Sequence, residues 1–183
     1  MLKFNGKKGV TFMDKDKVRY LTRTAMLLAL TIIFQASGRL FQAGTNSLYI
    51  VGPLVNACLL ISTGLVGLYS GVAISILSPI GAILTGAVMP LPFVPFVALG
   101  NFALVLLFYL FKNKKVIGLI TGSIAKFLVI YGSLLTVIPY FKLLPPQQIS
   151  KFISGPFSYP QLITALVGGV IALPVILRLE KRI

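Results

Sequence analysis

The chain has 183 residues, 57% of them hydrophobic, and its 17 lysines and arginines against three acidic residues give a net charge of +14. A mean hydropathy of +0.96 is more than a soluble domain of this size can hide, because such a domain needs a polar, charge-bearing surface. The absence of histidine rules out a Ser/His/Asp triad, the single Cys58 rules out an internal disulfide, and acidic residues confined to the termini argue against a metal site.

Between Arg39 and Lys112 lie about 70 residues whose only ionisable groups are Cys58 and a few tyrosines, where membrane spans of roughly 20 residues each are expected. This pattern predicts a polytopic membrane protein with a single integral membrane domain over 1–183. The first 20 residues carry Lys3, Lys7, Lys8, Lys15, Lys17 and Arg19 but no apolar core followed by a small-residue cleavage site. They are expected to remain as a basic cytoplasmic tail.

Breaks at glycine, proline and charge divide the rest into six candidate spans, approximately 22–38, 49–62, 65–84, 93–111, 116–141 and 159–179. The fold class expected is an all-α membrane protein, a bundle of six transmembrane helices, since lipid satisfies no free backbone amides and the alternation of a membrane barrel is missing. Only Ser62-Thr63-Gly64 separates the second span from the third. If Arg39 and Lys112 lie on opposite sides, the uncharged stretch holds an odd number of crossings, and its length fits three.

The basic residues sort by side. Residues 3–23, the 112–115 hairpin with Lys112, Lys114 and Lys115, and the C-terminal Arg178, Lys181 and Arg182 fall together, which predicts that both termini are cytoplasmic. The opposite side keeps Arg39, Lys142 and Lys151, in loops 39–48, 85–92 and 142–158 rich in Pro, Gln, Ser and Asn. The cations therefore read as topology signals, and no nucleic-acid partner is expected.

Four constellations could carry function. In the first span Ala25 and Ala29 stand one helical turn apart, with Thr22 and Ile33 extending the face. Small residues at this spacing allow close approach of another helix, either within the bundle or from a partner. The second is a set of polar groups at the outer half: Gln35, Ser37, Gln42, Asn46, Ser47, Asn56, Asn101, Tyr131, Ser133, Thr136, Tyr140, Gln161 and Thr164. Amides and hydroxyls at membrane depth need partners, so these either bond one another or meet a polar ligand. The third is Lys126, about 16 Å into the fifth span with no acidic residue in any span to pair it, either a counter-charge for an anionic ligand or a side chain that snorkels inward. The fourth is proline usage around Pro90, Pro92 and Pro95, at Pro145-Pro146 and at Ser78-Pro79, which marks rigid loops or kinks.

The sequence holds no phosphate-binding GxxxxGK[ST] loop and no intramembrane carboxylate, hence no visible energy source and no visible catalyst. A small self-sufficient channel or facilitator also needs neither, but it needs a continuous polar path, and the inner halves of these spans are nearly all aliphatic. A non-transporting assembly subunit of a membrane complex is the other alternative.

With its six spans, basic tail and Ala25-Met26-Leu27-Leu28-Ala29, the chain resembles the substrate-binding (S) components of energy-coupling factor (ECF) transporters. The stretch from Val51-Gly52-Pro53-Leu54-Val55-Asn56 through Gly81 and the segment Pro92-Phe93-Val94-Pro95-Phe96-Val97-Ala98-Leu99-Gly100-Asn101 also look like that family. The resemblance implies a high-affinity binder of a vitamin or related small molecule in the plasma membrane of a prokaryote. It also implies docking through Ala25 and Ala29 onto a membrane scaffold subunit and two ATPase subunits, which hydrolyse the ATP, with no cofactor on this chain. Candidate substrate-binding residues are then Lys126, Asn101, Asn56, Arg39, Gln42, Tyr131, Ser133 and Gln161. A carboxylate or phosphate would suit Lys126 with Arg39; pantothenate is one candidate, and lipoate-like, folate-like, pyrimidine and cobalamin ligands stay open.

Overall fold

The computed structural model describes residues 14–38, 45–86, 89–155 and 157–181, which fold into helices with no strand among them. The first helix, α1 (Lys15–Ser37), begins well before the apolar run because Asp14 caps it, accepting from the Asp16 amide at 3.3 Å, with Asp16 in the first turn.

Helix α2 (Thr45–Ile61) runs into a single π-helical turn, Ser62–Val66. That turn ends at Gly67, whose φ of 128° is a backbone conformation that side-chain-bearing residues rarely adopt. The break expected at 62–64 is thus a wide turn closed by glycine three residues later, and α3 spans Leu68–Leu84. Hydroxyls fasten this corner: Thr24 Oγ1 donates to Ser70 Oγ at 2.8 Å, and Ser70 and Ser62 share a hydrogen bond of 2.7 Å.

After a 3-10 turn at Leu91–Phe93 comes α4 (Val94–Leu110), then a second 3-10 turn at Lys112–Lys114 and α5 (Lys115–Leu135). The fifth span expected over 116–141 breaks at Thr136, beyond which α6 (Val137–Tyr140) forms one further turn. The connection 142–158, expected as a loop, contains α7 (Pro146–Ile153), started by Pro146 at a helical first position. The chain closes with α8 (Tyr159–Glu180). Five segments, Lys15–Ser37, Ser47–Val66, Leu91–Leu110, Lys112–Tyr140 and Tyr159–Glu180, are long and apolar enough to cross a membrane; α3, with 17 residues, is shorter.

The six long helices close into a ring in the order α1, α2, α8, α5, α4, α3 and back to α1. Glycines set the tightest contacts. A side chain at Gly122 of α5 would meet the Leu104 carbonyl of α4 at 2.9 Å, and one at Gly168 of α8 would meet the Pro53 carbonyl of α2 at 2.6 Å. Close backbone approach of this kind is how helices gain packing energy in lipid, where burial of apolar surface drives little.

Inside the ring the two ends differ. Toward the 112–115 turn the centre is filled by Ala57, Leu60, Leu104, Phe108, Leu119, Ala172 and Ile176. At the opposite end the apolar cluster of Phe93, Ile130, Leu134, Ile138 and Phe157 lies to one side, with Ile149, Phe152 and Ile153 of α7 and its end packed on it. This leaves the middle of that end open.

Candidate substrate-binding cavity

A cavity of about 680 Å³ occupies the open end. Its walls come from the end of α1 (Gln35), the first half of α2 (from Ser47 to Asn56), the end of α3 and its cap (Ser78, Pro79, Ala82, Thr85), the start of α4 (Val97, Asn101), Lys126 of α5, then Phe152, Ser154, Gly155 and Phe157, and the start of α8 (Tyr159, Pro160, Gln161, Thr164). All of these points lie at the end opposite the basic 112–115 turn. The volume falls within the range typical of small-molecule sites, and the mix of an apolar wall with a few converging polar groups is what such sites use to orient a ligand.

Lys126 lines the cavity from α5. It is 3% exposed, and its Nζ donates to Asn56 Oδ1 across the ring at 2.6 Å. No carboxylate reaches it: among the described residues Glu180 pairs with Lys115 at 3.0 Å, Asp16 lies 3.9 Å from Arg19, and Asp14 caps α1. The snorkelling alternative does not hold for this side chain, which turns to the cavity floor.

A second polar group of the wall is built on Ser78 of α3. Gln35 Nε2 donates to the Ser78 carbonyl at 3.0 Å, and Asn101 Nδ2 donates to Ser78 Oγ at 3.3 Å. The remaining amide oxygens, Gln35 Oε1 and Asn101 Oδ1, are buried and have no partner. Buried acceptors left unpaired each cost of order 1–3 kcal/mol, so they are poised to gain from an incoming donor.

The sequence-derived candidates divide accordingly. Lys126, Asn101, Asn56 and Gln161 line the cavity together. Tyr131 and Ser133 do not: Tyr131 stacks on Phe127 with centroids 5.2 Å apart, and the Ser133 hydroxyl donates to the Val129 carbonyl of its own helix. Thr136 likewise bonds the Gly132 carbonyl, and Tyr140 is exposed. Arg39 and Gln42 lie outside the described residues. The structure adds Ser78, Tyr159 and the phenylalanines Phe152 and Phe157 to the walls. For Phe152 the signal in the sequence was the apolar spacing of Ile149, Phe152 and Ile153, one face of a short amphipathic helix.

On the outside of the bundle Ala25 and Ala29 are exposed, in line with Thr22 and the 60% exposed Ile33. The ring leaves this face of α1 exposed.

A family model matches residues 19–180, and its description is ECF transporter, substrate-specific component. The chain belongs to that family. Comparison with curated proteins and with solved structures gives no match. Membership makes the chain the substrate-specific subunit of a membrane transporter, and the match runs through every helix of the ring.

Proposed function

We propose that this S component captures a vitamin or related small molecule in the cavity between Gln35, Asn56, Asn101 and Lys126, and passes it on only in company with partner subunits. In this reading the chain makes six crossings of a prokaryotic plasma membrane, with both termini and the basic 112–115 turn in the cytoplasm. The cavity then opens outward. The exposed Ala25 and Ala29 face docks on a membrane scaffold subunit, and two ATPase subunits supply the energy through ATP.

The observation that carries the proposal is the asymmetry of the ring interior. A polar-floored cavity at one end gives way to a solid apolar plug, with Leu60 and Leu104 fully buried, toward the other. Such a bundle binds a solute but offers it no polar route onward, which disfavours a channel. It equally disfavours a purely structural subunit, which has no need of unpaired acceptors around a void.

The test is purification in mild detergent, followed by mass spectrometry of small molecules released on denaturation. A retained solute of vitamin size is the expected result. A protein that releases nothing, and that no member of a vitamin panel stabilises against heat, overturns the reading.

A further inference from the structure

We infer that the solute this cavity accepts is a carboxylate carrying a single negative charge, whose neutral portion bears hydroxyl or N–H donors; the inference rests on the binding role proposed above. Its basis is that the two polar groups of the cavity ask for opposite chemistry. At the floor, the Lys126 ammonium has three donors and bonds only Asn56 Oδ1, a neutral acceptor, with no carboxylate near it among the described residues. A buried cation without an anion is costly, and a ligand that brings the missing charge gains what the protein leaves uncompensated.

Elsewhere in the same wall, Gln35 Oε1 and Asn101 Oδ1 are acceptors without donors. A carboxylate placed against them would set oxygen lone pairs against oxygen lone pairs. Hydroxyl or N–H groups satisfy them. One molecule that does both must therefore carry an acid group for Lys126 and separate donors for the amide oxygens, while Val51, Val55 and Val97 line the same cavity with aliphatic surface.

Charge matching narrows the class further. Lys126 is the only Lys, Arg, Asp or Glu among the described residues that line the cavity, so the described part of the wall contributes one positive charge. A phosphomonoester carries −1.5 to −2 near neutral pH and would bury an excess of negative charge. A cation would meet Lys126 unscreened.

The experiment has two arms on the detergent-purified full chain. In the first, solutes released by wild type and by Lys126→Met are identified by mass spectrometry in both ion modes, with helix content and thermal midpoint as folding checks. In the second, calorimetry compares pantothenate with pantothenol, nicotinate with nicotinamide and biotin with biotinamide, with thiamine as a cationic probe. Expected are a released carboxylate missing from Lys126→Met, and a tightest probe that is an acid whose neutral counterpart binds at least tenfold more weakly, about 1.4 kcal/mol. Lys126→Arg, which keeps the charge, retains the preference for the acid even if the Met variant fails to fold. A neutral, cationic or phosphomonoester solute released by wild type, or an acid held equally well by folded Lys126→Met, overturns the inference and leaves the binding role standing. A wild-type protein that is empty and binds none of the probes overturns the binding role, and this inference falls with it.

Discussion

Lys126 and Asn56 are separated by 70 positions in the chain, yet Nζ and Oδ1 meet at 2.6 Å, joining α5 to α2 across the interior of the ring. Asn56 thus stands where a carboxylate would be the stronger partner. Replacing Asn56 by Asp supplies that carboxylate from the protein itself. The expected outcome is a thermal midpoint no lower than wild type together with an affinity for acidic solutes reduced at least tenfold, because the internal anion occupies the site. Asn56→Leu, in contrast, leaves the ammonium without an acceptor and is expected to cost about 1–3 kcal/mol of stability. Thermal unfolding and calorimetry on both variants check the pair.

The Lys126–Asn56 contact depends on the seam between α2 and α8. A Cβ at Gly168 would lie 2.6 Å from both the Asn56 Cβ and the Pro53 carbonyl oxygen, so Gly168→Val must push α2 aside. The expected loss is about 1–3 kcal/mol, the usual size of an overpacking penalty, accompanied by weaker solute binding as Asn56 is displaced. Gly132 is the matched control on α5. A Cβ there meets nothing within 4 Å, and Gly132→Ala is expected to leave binding unchanged and to raise stability by about 0.4–1 kcal/mol.

Much of this arrangement was legible in the residues. Uncharged runs bounded by lysines marked the helices, because the bilayer imposes one length and one polarity on whatever crosses it. Lys126 stood out because a cation in an apolar run needs a reason. What periodicity could not supply was partnership across the ring: nothing in the sequence couples Asn56 to Lys126, or Gln35 and Asn101 to Ser78, since each pair is set by the rotation of separate helices about their own axes. Tyr131 and Ser133 failed as cavity residues for a related reason. Depth in the membrane was readable, but Tyr131 lies about 140° around α5 from Lys126 at 100° per residue, and the Ser133 hydroxyl is spent on its own helix. The helix α7 was hidden by its polar surroundings and by a length of 8 residues.

Because Ala25 and Ala29 are exposed, the double substitution to leucine is expected to leave thermal stability within about 0.5 kcal/mol of wild type, as surface changes usually do. Solute affinity should also be unchanged. Uptake into cells that express the transporter partners should fall to background, since two leucines hold an incoming helix off the surface that the alanines open. If affinity falls while association with partners persists, α1 acts through the cavity and the docking role is lost.

Orientation has a direct readout. Cys58 is buried and offers little background to a membrane-impermeant thiol reagent, so a cysteine introduced at Asn113 reports on the basic turn alone. The expected outcome is no labelling of Asn113→Cys in intact cells and full labelling after the membrane is opened. Labelling from outside would invert the bundle and place the cavity mouth in the cytoplasm.

The last expectation concerns what the isolated chain cannot do. Between the cavity floor at Lys126 and the turn at Lys112–Lys114, the axis of the ring is filled by Leu60, Leu104, Phe108 and Leu119, all at most 5% exposed. A polar solute crossing this plug would shed its hydrogen bonds without replacement, at several kcal/mol for each group. The opening at the far end, about 210 Å³ beside the Lys115–Glu180 ion pair, is a separate void on the other side of that plug. In liposomes the chain alone is therefore expected to bind solute stoichiometrically and then stop, with no flux down a tenfold gradient. Addition of the scaffold and ATPase subunits with ATP should restore turnover. Continuous flux from the chain by itself would mean that the apolar plug opens unaided, and the division of labour between solute capture and solute release would have to be abandoned.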